Sequence, residues 1–186
     1  MKGLVVYESM FGNTQLIAKA VLKGLSSQMT VDMVEVGVAP TVLGEDVALL
    51  VIGGPTHAFG LSRRGTRQSA ADQSEHGLIS AGIGLREWLD VLEVPSAPIA
   101  AASFDTRINK PRLPGSAASG AAKRLNRLGF RLIASPESFY VVGTPGPLVE
   151  GELERAQRWG AEAVASEFKS NEPPKLKSRI RLRPPS

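Results

Sequence analysis

The chain has no cysteine among its 186 residues. That absence removes disulfides, thiolate metal sites, iron–sulfur clusters and a cysteine nucleophile together. Histidine is scarce too: His57 and His76 are the only two, and they lie too far apart for metal-ligand spacing. Apolar runs are short. The longest, such as residues 47–52, falls far below the roughly 20 residues needed to span a bilayer, so no membrane insertion is expected. The amino terminus has one lysine and then a short apolar stretch ending at Glu8, which is no signal peptide, and a soluble cytoplasmic protein is expected. There is no GxSxG elbow, and Ser9, His57 and Asp105 form no defensible triad order, which argues against a hydrolase. A phosphoacceptor signalling domain would need acids after the first strand and an aspartate after the third. Here Glu8 stands alone and the third apolar run ends in Gly53.

What is present suits one domain able to bury a sizeable core. The formal charge of +4 is unevenly spread. Lys169, Lys175, Lys177, Arg179, Arg181 and Arg183, set against Glu172, form a basic carboxyl-terminal stretch at 169–186, expected to be a flexible tail. That leaves 16 basic and 17 acidic residues in 1–168, so the folded body is near neutral.

Along residues 1–168, strand and helix patterns alternate. Residues 3–8 read as a buried strand, and 14–27 as an amphipathic helix with Leu16, Ile17, Ala20, Val21 and Leu25 on one face. Residues 30–36 alternate as a second strand. The continuous run 47–52 marks a central parallel strand covered on both faces, and Gly53-Gly54-Pro55 stops it. Residues 54–81 are polar and hard to assign, and a loop that long is usually functional. Helices are predicted over 84–92, 115–128 (with Gly129 as its C-cap) and 148–168, and strands over 98–104 and within 130–142, interrupted near Pro136. The pattern predicts a doubly wound α/β fold: five parallel strands in the order 2-1-3-4-5, with helices on both faces. Ligands in such sheets sit beyond the carboxyl ends of the strands.

Three loops would meet there. Ser9-Met10-Phe11-Gly12-Asn13-Thr14 joins the first strand to the first helix, aiming backbone N–H groups and the helix dipole at one spot, which suits a phosphate. It lacks the lysine of GxxxxGK[ST] and the spacing of GxGxxG, and its hydroxyl and amide donors suit a terminal monophosphate. The alternative is a plain turn capped by Thr14. Gly53-Gly54-Pro55-Thr56-His57-Ala58-Phe59-Gly60 allows close approach of a flat ligand, with His57 or Phe59 able to cover a ring face. Ser103-Phe104-Asp105-Thr106-Arg107 offers a further aromatic, hydroxyls, an acid and a base.

With these motifs the sequence resembles the flavodoxin family over most of residues 1–168, through Tyr7-Glu8-Ser9-Met10-Phe11-Gly12-Asn13-Thr14 and Gly53-Gly54-Pro55-Thr56. The resemblance implies a flavodoxin-like fold holding FMN non-covalently for electron transfer between redox partner proteins, a reductase and an acceptor. It implies that Ser9, Met10, Phe11, Gly12, Asn13 and Thr14 hold the phosphate. Pro55, Thr56, His57, Ala58, Phe59 and Gly60 would meet the isoalloxazine from one side, and Ser103, Phe104, Asp105 and Arg107 from the other. A backbone carbonyl near Gly60 would then bond the flavin N5–H and favour the neutral one-electron form. No catalytic residue, metal or nucleic-acid partner is expected, and the chain is expected to be a monomer or weak dimer. The alternative within the same fold is an FMN-dependent NAD(P)H:quinone or other acceptor reductase, with Arg63, Arg64 and Arg67 available to a nucleotide phosphate or an acidic partner.

Overall fold

The computed structural model describes residues 1–75, 77–93, 96, 99–109 and 114–170. The basic stretch from 171 onward, His76 and Pro95 lie outside the described residues. Among the described residues one sheet organises the chain. β1 (Lys2–Tyr7) lies between β2 (Val31–Glu35) and β3 (Val47–Pro55), and β4 (Ala100–Ile108) follows β3. These strands all pair in parallel, and the order is 2-1-3-4-5 as expected. The fifth position is split. β5 (Arg131–Leu132) pairs with Ala100 and Ala101, whereas β6 (Glu137–Val141) pairs with Phe104 through Ile108, giving six strands. Pro136 stands between them, and a proline cannot donate to a ladder.

The apolar runs sort by parity. Val5, Tyr7, Leu49, Val51, Ala100, Ala102 and Phe104 face α1 (Asn13–Ser26) and α5 (Glu152–Arg158), meeting Ile17, Val21, Leu25, Ala156 and Trp159. Leu4, Val6, Leu50, Ile52 and Ala101 face α3 (Leu85–Val91) and α4 (Ala117–Arg127), meeting Leu85, Trp88, Leu89, Ala121 and Leu125. Side chains on a strand alternate faces, so a run apolar at every position must be covered on both. The stretch 54–81, opaque in sequence, contains a further helix, α2 (Arg64–Asp72). The final helix continues from α5 through a π-helical segment, Trp159–Val164, into α6 (Ala165–Ser170).

One expectation is corrected. Residues 103–107 are not a loop, because β4 runs on to Ile108. Gly53 lies in register between Tyr7 and Phe104, and the Phe104 ring crosses it. A Cβ on Gly53 would stand 2.0 Å from Phe104 Cζ. Phe104 packs edge-on to Phe139 and Trp159, each with ring centroids 6.1 Å away, and is 1% exposed.

Candidate functional site

At the carboxyl end of the sheet, two helix N-termini point the same way along the fold and differ in one respect. The start of α4 is closed. Ala117 N–H donates to Thr56 Oγ1 (2.8 Å), Ala118 N–H to Asp105 Oδ2 (2.9 Å) and Ser119 N–H to Ser116 Oγ (3.0 Å). These three side chains satisfy donors that a helix cannot satisfy within itself. The start of α1 is open. Its N-cap is Gly12 at φ 96°, which has no side chain to offer and adopts the left-handed conformation without penalty. Ser9 Oγ accepts from Gly12 N–H (3.2 Å) and Gln15 N–H (3.3 Å), while the N–H groups of Asn13 and Thr14 meet no acceptor among the described residues.

Thr14 does not cap the turn. Its buried Oγ1 lies 2.7 Å from Thr106 Oγ1, tying α1 to β4. The loop is held from behind by Ser80, whose Oγ accepts from Ser9 N–H (2.9 Å) and whose N–H donates to Ser9 O (2.8 Å). Asn13 Nδ2 donates to Pro145 O (2.5 Å) on the far side.

A cleft of about 450 Å³ opens between these elements, within the size range of cofactor sites. Ser9, Met10, Phe11, Asn13 and Thr14 line it, with Pro55, Thr56, His57, Ala58 and Phe59 on a second wall. Arg107 also reaches it. Gly12 and Gly60 belong to the same two loops without lining the cleft. Ser103, Phe104 and Asp105, expected to contact a ring, do not line it. Ser103 Oγ donates to Ala118 O (2.9 Å), Phe104 belongs to the core, and Asp105 is fully buried beneath Thr56, whose hydroxyl donates to Asp105 Oδ2 (2.9 Å). The physical reason is the strand itself. Ser103, Phe104 and Asp105 lie inside β4, and of the group only Thr106 and Arg107, near the carboxyl end of that strand, border the cleft.

Sequence reasoning missed Ile108, Val141, Gly143, Thr144 and Pro145, as well as Thr66, Ser69, Ala70 and Gln73 in and just after α2. The polar face of α2, spaced Thr66–Ser69–Gln73, was the one available signal. Arginine breaks the apolar periodicity of that helix and hid it.

His57 N–H donates to Gly60 O (2.9 Å) and Gly60 N–H to His57 O (3.0 Å), closing a hairpin turn. Both backbone groups of Gly60 are therefore engaged within the turn, so a carbonyl offered at its tip belongs to Ala58 or Phe59. Those two residues carry φ of 43° and 73°. Positive φ in non-glycine residues costs on the order of 1–2 kcal/mol each, so the turn stores strain beside the cleft. Phe59 is 55% exposed there.

Behind the cleft lies a buried ionic network. Glu8, fully buried, accepts from Ser62 Oγ and from Leu85 N–H (2.8 Å). Ser62 Oγ accepts from Arg67 NH1 (2.9 Å), and the Arg67 fork bonds both Glu87 oxygens at 3.1 Å. Burial pushes the Glu8 carboxyl above its usual value despite the Ser62 and Leu85 bonds, which favour the charged form. Burial, and then the Arg67 guanidinium, hold His57 below the usual imidazole value, so it is neutral at pH 7. Arg67 is thereby committed to Glu87 and is not a free cation for a ligand. Among the described lining residues there is no carboxylate, and Arg107, which also donates to Gly115 O (3.0 Å), is the one charge.

No model of a known protein family matches the sequence, and no curated protein matches it. Solved structures do match. A flavodoxin from the domain Archaea superposes with a TM-score of 0.59 at 16% identity, over 91% of this chain and 99% of that one. Oxidised flavodoxin 1 from Bacillus cereus gives 0.62 at 13% identity, over 93% and 100%. A flavodoxin, WrbA-like protein from Agrobacterium tumefaciens gives 0.55 at 19%, over 92% and 99%. The chain has a flavodoxin-like fold.

Proposed function

We propose that the chain binds FMN non-covalently in this cleft and carries electrons between a reductase and an acceptor protein. The observation that supports it best is the contrast between the two helix N-termini. In a flavodoxin-like sheet one start is stoppered by Thr56, Asp105 and Ser116, and the other, at Gly12, keeps open donors on a cleft wall. Open N–H groups at the positive end of a helix suit a phosphate ester. Ser9, Asn13 and Thr14 and the backbone around Gly12 would hold that phosphate. Pro55, Thr56, His57, Ala58 and Phe59 would flank the ring on one side, and Thr106 and Arg107 on the other. When bound, FMN supplies the one- and two-electron chemistry. The chain fixes its seat, and the apolar surfaces of Met10, Phe11, Phe59, Ile108 and Val141 exclude water around it. The absorbance spectrum of the purified protein, with and without added FMN, tests this reading. Flavin bands and quenched flavin fluorescence at one FMN per chain are expected; a colourless protein that leaves FMN fluorescence untouched overturns it.

A second reading, an NAD(P)H-dependent acceptor reductase, draws support from the lack of carboxylates among the described lining residues. With Arg107 the one charge among the described lining residues, the cleft wall does not oppose the negative charge of fully reduced flavin, which suits two-electron chemistry. Rapid anaerobic bleaching of the bound flavin by NADPH alone favours the reductase, and dependence on a separate reductase protein favours the carrier.

A further inference from the structure

The start of α2 is electrostatically the wrong way round. Arg63 is its N-cap and Arg64 its first residue, with no acid in the first turn. Cations at the positive end of a helix oppose its dipole and reduce helix stability. Both arginines are exposed, and neither forms an ion pair among the described residues. Arg86 at the start of α3 brings a third guanidinium to the same place. Its Nε donates to Ser62 O (3.1 Å) and its NH2 to Leu61 O (2.9 Å), the residues just before Arg63. Its contacts are carbonyls rather than carboxylates, and burial together with Arg124 and Arg63 lowers its pKa. Arg124 of α4 pairs with Asp90, one turn beyond Arg86 on α3. Lys123 and Arg127 flank Arg124 and are exposed.

Among the described residues the patch brings Arg63, Arg64, Arg86, Lys123, Arg124 and Arg127 together with the acids Asp90 and Glu87, the latter bonded to Arg67, on a body of residues 1–168 that is near neutral overall. The fold assembles it from three helices. Arg67, adjacent in sequence, is excluded by its bonds to Glu87. Arg63 lies one helical turn from Thr66, which lines the cleft, so the α2 end of the patch adjoins the cleft wall. A helix packing onto the sheet would not itself require arginines at its positive end. Their presence at a local cost in stability points to a role outside the fold.

We propose that this surface, formed by the start of α2 with Arg86 of α3 and the outer side of α4, docks an acidic protein redox partner. The proposal rests on the FMN electron-carrier reading for its redox consequence, and its binding step is independent of flavin. Complementary charge beside the cleft raises the encounter rate and orients the partner, and both effects fall with salt.

A small acidic [2Fe–2S] protein serves as the probe, with a basic c-type cytochrome of similar size as the opposite-charge control. The variant is Arg63→Glu/Arg64→Glu/Lys123→Glu. Acids at the first two positions favour the α2 dipole, so the variant is expected to fold, and its far-ultraviolet spectrum and urea midpoint check this. In the flavin-loaded protein, one electron passes from the reduced cluster to the oxidised flavin, followed by stopped-flow absorbance. The expected result is a second-order rate constant that falls roughly tenfold or more from low to high salt, and falls comparably in the variant. The cytochrome control should show the opposite dependence on the substitutions. In a parallel arm, the acidic probe is titrated against flavin-free protein by calorimetry, and binding should be lost in the variant. Equal rates and equal binding for parent and variant, or tighter binding to the basic probe, overturn the docking surface. If FMN is not taken up at all, the carrier reading fails, and the calorimetric arm alone decides the surface.

Discussion

Replacing Gly53 by alanine tests the placement of Phe104, the residue for which sequence and structure diverge most. A Cβ at position 53 would lie 2.0, 2.2 and 2.4 Å from Phe104 Cζ, Cε2 and Cε1. Carbon atoms in contact prefer about 3.5–4.0 Å, so the ring would have to retreat by about 1.5 Å. It has no room to do so, because Phe139 and Trp159 pack edge-on against it and against each other at 6.1 Å. Overpacking of this kind costs about 1–3 kcal/mol. Phe104→Ala alone should cost about 3–5 kcal/mol, from lost burial and the cavity it leaves. In the double variant the methyl introduced at position 53 enters space the ring has vacated, so its penalty disappears and the two losses fail to add by about 1–3 kcal/mol. Urea unfolding followed by Trp88 and Trp159 fluorescence, with slopes checked for equality, gives all four corners of the cycle. Phe104→Leu replaces Phe104→Ala if the latter leaves too little folded protein. Gly53→Ala at parental stability, or strict additivity, would refute the packing argument. Flavin uptake by Phe104→Leu should match the parent, because the ring belongs to the core rather than the cleft.

Buried carboxyls give two further outcomes. Asp105 Oδ2 accepts two hydrogen bonds, while its buried Oδ1 has no partner among the described residues. Asp105→Asn keeps an acceptor and should change stability little, whereas Asp105→Ala strands Ala118 N–H and the Thr56 hydroxyl and should cost about 1–3 kcal/mol by thermal or urea unfolding. Equal losses in the two variants would contradict the assignment of Asp105 to the α4 start. For Glu8 the folded carboxyl titrates above the ordinary 4.5, so the folded state holds a proton that the unfolded state has released. That stabilisation is complete below about 4.5 and is lost as pH rises through the folded value. The stability of the parent relative to Glu8→Gln should therefore decline as pH rises from 4.5, measured by urea unfolding at each pH; a constant difference would show that Glu8 does not titrate this way.

Much of the fold was legible because its signals are local. Continuous apolar runs at residues 3–7 and 47–52, short and bounded by turn residues, read as strands covered on both faces, and they are β1 and β3 with alternate residues in two separate cores. Alternation of strand and helix implied the order 2-1-3-4-5, and Gly12 and Asn13 sit at the turn from β1 into α1. The end of β4 was not legible. In sequence the strand reads as ending at residue 104, with Ser103 to Arg107 as the loop that follows it. Pairing with Ile52, Gly53 and Gly54 on one side, and of Phe104 and Asp105 with Glu137 and Ser138 on the other, keeps it extended.

Two properties belong to tertiary structure alone. One is which of the α1 and α4 starts remains open. Thr56, Asp105 and Ser116 come from three separate segments to close α4, so no local pattern reports it. The other is the fate of the arginines. Arg63, Arg64 and Arg67 are equivalent on paper, yet Glu87, twenty residues beyond Arg67, removes one of them into a buried network. Arg86 and Arg124 arrive from other helices to join the remaining two. Where the backbone must be buried or turned is written locally, because burial pattern and glycine act over a few residues. Which polar groups are satisfied and which stay open depends on partners brought together only when the chain is folded.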